Sequence, residues 1–241
     1  MMSLSESAIA EVEINDCGEE LVELRGLDKR LFLDDSEANA FCIGYRPIFL
    51  VRQTIARKLE QALRLVPPEF ALLVKDAYRP RHLQEIFFNA YVEELRAKNP
   101  ERTDVQLVAF AAHFVAPPAV AGHPTGGAID LTLCTQSGTE LALGSAYDAD
   151  AETSGGACYS DCDAIAESEK RHRQVLFRAL GSVGFVNYPF EWWHWSYGDR
   201  YWAALTGSES ALYGALDLSP EWALAAASDW GHKRLGSGLA S

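Results

Sequence analysis

The segment Ala128 to Leu133, AIDLTL, places a carboxylate in the middle of an apolar run. The alternation reads as a β-strand. A strand buried enough to be this apolar cannot leave an aspartate unpartnered, because an uncompensated buried charge is strongly unfavourable. Asp130 therefore needs either a cation from the protein, such as an arginine, or a metal ion. A second apolar run, Phe70 to Lys75 (FALLVK), has strand length. It leads directly into Asp76-Ala77-Tyr78-Arg79-Pro80, which must be a loop because Pro80 keeps Arg79 out of helical geometry.

Helical spacing surrounds these runs. From Pro47 to Val66, Ile48, Val51, Ile55, Leu59, Ala62 and Leu63 recur at three and four, predicting an amphipathic helix stopped by Pro67-Pro68. Further helices are expected at 81–98, at 103–115 with Thr103 or Asp104 as cap, and at 163–180, ended by Gly181. Gly122 to Gly127 reads as a glycine-rich turn, 134–160 as loop, 184–188 as extended chain and Glu191 to Trp195 (EWWHW) as a strand. Residues 1–40 suggest a surface segment with one short strand. The tail after Gly207 is rich in Ala, Ser and Gly, with one short helix near 219–227. Strands and helices are interspersed without regular βαβ spacing, so the expected class is α+β: a central, mainly antiparallel sheet flanked by helices. The whole chain, 1–241, is read as one domain with a catalytic core at about 20–205 and an extension at 207–241.

Composition limits the partners. The 21 Lys+Arg against 34 Asp+Glu give a net charge of −13. That acid excess argues against nucleic acid and anionic membranes as partners, since both are bound by clustered basic side chains. A hydrophobic fraction of 48% supports a sizeable core and excludes disorder. The start of the chain carries no basic and apolar signal pattern, no run is long enough to span a bilayer, and five unevenly spaced cysteines do not form a disulfide framework. A cytoplasmic protein is the expectation. Cys158 and Cys162, with His172, lack the second ligand pair of a zinc finger.

Metal-ligand residue types concentrate in two places. Gly122 to Asp130, GHPTGGAID, holds His123 and Asp130 seven apart around a glycine turn. Glu191-Trp192-Trp193-His194 holds a carboxylate and an imidazole three apart. A catalytic zinc site takes three N/O protein ligands and keeps one position open for water. His123, Asp130 and His194 supply that set and leave Glu191 as general base, to take the water's proton and pass it to the leaving amine. In a straight strand residues three apart face opposite sides, so Glu191 and His194 converge only if their segment bends. Taken singly, a histidine among aromatics more often belongs to a core or surface than to a metal.

Read together and in order, DAYRP, GHPTGGAIDLTL and EWWHW resemble the VanX-type D-alanyl-D-alanine dipeptidases, zinc peptidases of the Hedgehog/DD-peptidase fold. The resemblance extends from about residue 20 to 205. It implies one Zn2+ per chain on His123, Asp130 and His194, with Glu191 as base and Arg79 binding the scissile carbonyl oxygen as it becomes an oxyanion. Without it, a structural contact with Asp76 or with a helix C-terminal carbonyl would be the simpler reading of Arg79. The resemblance also matches Asp148 to an aspartate that pairs with the substrate's free ammonium, and Trp193 and Tyr78 are assigned to the substrate pocket. Ala121 stands where the family commonly has a serine, and Leu31 falls where it has a tyrosine. The expected activity is hydrolysis of a short D-amino-acid dipeptide, foremost D-Ala-D-Ala, in cell-wall peptidoglycan metabolism. The alternatives are a peptidase of the same fold acting on another small peptide, and a zinc-bearing module without catalysis.

Overall fold

The two apolar runs pair with each other at the centre of a five-stranded sheet. The computed structural model describes residues 2–4 and 6–218. In chain order these form α1 (Ser7–Ala10), β1 (Glu13–Ile14), β2 (Leu21–Glu23), β3 (Leu31–Leu33), α2 (Glu37–Ile43), β4 (Leu50–Arg52), α3 (Gln53–Leu63), β5 (Phe70–Asp76), α4 (Arg81–Lys98) and α5 (Asp104–Ala111). A 3₁₀ turn at His123–Thr125 precedes β6 (Ala128–Thr135), α6 (Glu167–Ser182), β7 (Val186–Asn187), β8 (His194–Ser196), α7 (Arg200–Thr206) and β9 (Ser210–Ala211). The main sheet runs β3-β5-β6-β8-β7; β3 lies parallel to β5 and the other pairs are antiparallel. The class is α+β with a mainly antiparallel sheet, as expected.

Alternation along β6 separates core from chemistry. Ile129, Leu131 and Leu133 join the large apolar cluster with Ile55, Leu59 and Leu63 of α3 and Leu176 and Leu180 of α6. Asp130 therefore points to the other face, as period two requires. Register places Asp130 opposite Asp76 on β5 and opposite His194 on β8, so three polar residues stand in one row across three strands.

Several elements differ from the sequence reading. The helix expected over 47–66 begins only at Gln53. Residues 50–52 instead form β4, antiparallel to β2, and Ile48 makes an isolated bridge to Tyr78. The apolar spacing of 48–51 serves strand burial, because pairing with β2 satisfies backbone groups that helix formation would otherwise satisfy. The N-terminal 40 residues hold three strands and the start of α2 rather than one short strand, and Ile9 and Leu24 are fully buried. α5 stops at Ala111, short of 115, although its Thr103 cap is present and forms a capping box with Gln106. α6 starts at Glu167 rather than at 163, and it continues through Gly181; the chain turns at Gly184, whose φ is +92°. Within EWWHW only His194 and Trp195 belong to a strand. Past Gly207, β9 pairs with β1, and Ala211 and Tyr213 are buried, so the start of the expected extension is anchored to the rest of the chain. The helix expected near 219–227 lies outside the described residues. Among the described residues, no helix is long and apolar enough to cross a membrane.

Candidate metal centre

The His123 turn is tied down by backbone contacts that demand glycine. Gly126 closes it at φ +69°, and a Cβ there would come within 2.4 Å of Leu21 Cδ2. Arg52, only 1% exposed, anchors the same turn: its backbone N donates to Gly126 O (2.9 Å) and its Nε to Thr125 O (2.8 Å). His123 Nδ1 lies 2.6 Å from Ala77 O. A carbonyl only accepts, so Nδ1 carries the proton and a neutral ring presents a bare Nε2 on its other side.

That Nε2 faces Asp130 Oδ1 at 3.4 Å, and His194 Nδ1 approaches the same oxygen at 2.8 Å. One donor atom from each of His123, Asp130 and His194 lies within 4.8 Å of the others, the one such trio among the described residues. A bare imidazole nitrogen facing a carboxylate oxygen is an acceptor facing an acceptor, which needs a proton or a cation between them. Two nitrogens and one carboxylate oxygen match the donor preference of zinc. Burial favours a neutral Asp130, but positive charge set against it, as protonated imidazoles at His123 and His194 would supply, outweighs that and holds the carboxyl well below its usual range, the same demand for a proton or a cation. Burial lowers the pKa of His123, and the Asp130 charge more than reverses that.

Glu191 reaches the same cavity through a bend. Residues 191–193 form a turn in place of the expected strand, closed by His194 N donating to Glu191 O at 3.1 Å. Asn187 Nδ2 holds the turn by donating to the carbonyls of Glu191, Trp192 and His194 at 3.2, 3.3 and 2.9 Å. The bend puts Glu191 and His194 on one side. Burial raises the Glu191 pKa well above the usual carboxylate value, the negative Asp130 and Asp148 raise it further, and Arg79 opposes.

Arg79 borders this cavity, of about 120 Å3, together with His123, Asp130, Glu191 and His194. The salt bridge to Asp76 is also present, at 2.8 Å, so both readings of Arg79 describe the same side chain. Gln84 Oε1 accepts from its Nη1 at 3.0 Å and the Tyr45 hydroxyl from its Nε at 3.3 Å. Asp148, at φ +60°, and Trp193 line the cavity too. Tyr78 does not. It is fully buried against Ile48 and Leu50, and its hydroxyl donates to Leu216 O, so its assignment to the substrate pocket is corrected: the turn after β5 points Arg79 inward and Tyr78 toward the C-terminal segment. Ala121 lines a separate cavity beside Arg81 and Thr125, and Leu31 packs in the core.

Sequence reasoning missed Tyr45, Gln84, Asn187, Asp199 and Tyr147. Tyr45 lies 34 residues from Arg79 and Tyr147 sits in an aperiodic loop, whereas Gln84 and Asn187 are only five and four residues from Arg79 and Glu191, where spacing alone does not show which way an amide turns. Asp199 (2% exposed) caps α7 through Oδ1 and borders the cavity. Burial raises its carboxyl pKa.

The family model described as D-Ala-D-Ala dipeptidase matches residues 46–207, more than half of the chain. The chain belongs to that family. It is accordingly a zinc metallopeptidase, the enzyme class and cofactor expected from the sequence. A D-alanyl-D-alanine dipeptidase of Synechocystis sp. is 27% identical over 220 residues, covering 80% of this chain and 87% of the relative. One from Enterococcus faecalis is 30% identical over 139 residues, covering 54% and 64%. Among solved structures, a variant of the vancomycin-resistance D,D-pentapeptidase VanY in complex with Zn(II) is similar at 18% identity and TM-score 0.44, covering 86% of this chain and 96% of that one.

Proposed function

We propose that this family member hydrolyses short D-amino-acid dipeptides, D-Ala-D-Ala foremost, with zinc held by His123, Asp130 and His194. The observation that carries the reading is the convergence of those three ligand atoms beside Glu191 and Arg79 on one small cavity. Zinc, when bound, supplies Lewis acidity that makes a water nucleophilic near neutral pH. Glu191 takes the proton of the attacking water and returns it to the leaving amine. Burial, which raises its pKa, favours the half of that transfer in which Glu191 holds the proton before the amine takes it. Arg79 directs its remaining N–H groups at the carbonyl oxygen as negative charge develops there, stabilising the transition state more than the bound substrate. Asp148 meets the free ammonium and Trp193 forms the wall. The proposal includes the cytoplasmic setting and peptidoglycan-derived dipeptides expected from the sequence.

The test is release of D-alanine from D-Ala-D-Ala and a panel of dipeptides by zinc-loaded and zinc-stripped protein. Metal-dependent cleavage supports the reading; no cleavage of any member with zinc bound overturns it. A second reading, preference for a bulkier first residue, is favoured by an adjoining chamber of about 420 Å3 that shares Phe87, Asp148, Glu191 and Trp193 with the cavity. D-Leu-D-Ala outpacing D-Ala-D-Ala in the same panel would select it.

A further inference from the structure

The two carboxylate oxygens of Asp130 have different surroundings. Oδ1 faces both imidazoles, 2.8 Å from His194 Nδ1 and 3.4 Å from His123 Nε2. Oδ2 accepts a 3.0 Å hydrogen bond from the Tyr147 hydroxyl. Tyr147 is buried and packs edge-on against Trp193, with ring centroids 5.6 Å apart. The Lys75 ammonium sits 5.6 Å from the centre of its ring and is itself fixed at 2.7 Å by both Asp34 and Glu140. A phenol in such a setting has little freedom, and its O–H is directed at the metal-site carboxylate. Nothing in the three sequence motifs pointed to it, because Tyr147 lies in the aperiodic loop between β6 and α6.

We infer that Tyr147 is a positioning residue for the metal centre, holding Asp130 Oδ2 so that the carboxylate offers zinc a single oxygen, Oδ1. This rests on Asp130 being a zinc ligand. The physical consequence is twofold. An oriented carboxylate loses less freedom on binding the ion, which strengthens binding, and outer partners of metal ligands commonly contribute about tenfold to a hundredfold in affinity. A carboxylate free to rotate could instead chelate through both oxygens, taking up coordination space that a catalytic site keeps open for water. Tyr147 touches neither substrate nor metal; it acts through Asp130.

The experiment uses the full chain and Tyr147→Phe, which keeps the buried ring and removes only the hydroxyl. Melting of the metal-free proteins checks that folding is retained. Zinc affinity is measured by competition with a chelator of known strength, and the visible spectrum is recorded with Co(II) in place of zinc. The expected result is zinc binding weaker by about tenfold to a hundredfold, with weaker Co(II) ligand-field absorption as the carboxylate adds a second oxygen. Unchanged zinc affinity, or an unchanged Co(II) spectrum, overturns the inference. Asp130→Asn run in parallel separates the two levels. If it loses zinc while Tyr147→Phe does not, the positioning role alone fails; if it keeps full zinc affinity, the ligand assignment beneath it fails.

Discussion

Replacing Arg79 separates two roles that one guanidinium combines. Its Nε, Nη1 and Nη2 donate to Tyr45, Gln84 and Asp76 at 3.3, 3.0 and 2.8 Å, which leaves one N–H on each terminal nitrogen for a substrate oxygen. Losing a donor aimed at an oxyanion costs about 2.7–4 kcal/mol of transition-state stabilisation, or ~10²–10³ in kcat. The structural role has its own scale. Breaking a buried ion pair by removing one partner costs about 3–5 kcal/mol of stability. Asp76 is fully buried but the Arg79 side chain is 17% exposed, so the lower end of that range applies. Arg79→Ala should therefore be folded but less stable, and slow by ~10²–10³ when zinc-loaded. Arg79→Lys keeps a charge near Asp76 but lacks the fork, so it should regain stability before it regains rate. Initial rates of dipeptide cleavage at saturating substrate, with zinc content and urea unfolding measured on each variant, decide the matter. A zinc-loaded Arg79→Ala protein that is destabilised yet turns over at the wild-type kcat would refute the oxyanion role and leave the salt bridge as the whole explanation.

Glu191→Gln should bind zinc normally and lose about 10²–10⁴ in turnover, as removal of a general base does; metal analysis and rate measurements check both halves, and a near-wild-type rate rejects the base assignment. Burial raises the Asp34 pKa, but hydrogen bonds from Lys75 and Ser36 and the Lys75 charge outweigh it, so in the folded protein it lies below the usual aspartate value. A depressed pKa means its stabilising contribution is complete above the unfolded value and is lost as pH falls through the folded one. The stability gap between wild type and Asp34→Asn, read from urea unfolding, should be constant near neutral pH and shrink below about pH 4; a gap that persists undiminished in acid contradicts this. Gly126→Ala must hold an alanine at φ +69° against Leu21 Cδ2. It should cost at least about 1–2 kcal/mol in thermal or urea unfolding and weaken zinc binding through the His123 turn; a neutral outcome in both would show that the turn relaxes freely.

Much of the site was legible because its chemistry is carried by residue types that strands rarely bury. Asp130 inside AIDLTL demanded a cation before any coordinate was known, and the spacing of Glu191 and His194 demanded a bend, which the turn at 191–193 supplies. Helix α4 fell on its expected bounds because its composition and the Pro80 start act locally. The misreadings share one cause. Residues 48–52 have helical periodicity, yet the strand partner that claims part of them, β2, lies some 30 residues away in sequence. Tyr78 sits beside Arg79 in the same motif, and only the direction of the loop sends one ring to Leu216 and the other side chain to the cavity.

The sequence by itself determined the class of fold, the partners that a −13 chain disfavours, and an ordered set of five residues fit for metal-assisted hydrolysis. Only the tertiary structure decided what orients that set: Asn187 under the Glu191 turn, Arg52 under the His123 turn, Asp76 with Tyr45 and Gln84 around Arg79, and Tyr147 behind Asp130. Ligand types follow from local chemistry and can be read along the chain. Their supports depend on where side chains point: Arg52, Tyr45 and Tyr147 reach in from other segments, and Asn187 and Gln84, though only a few residues away, are aimed by the local turn and helix geometry.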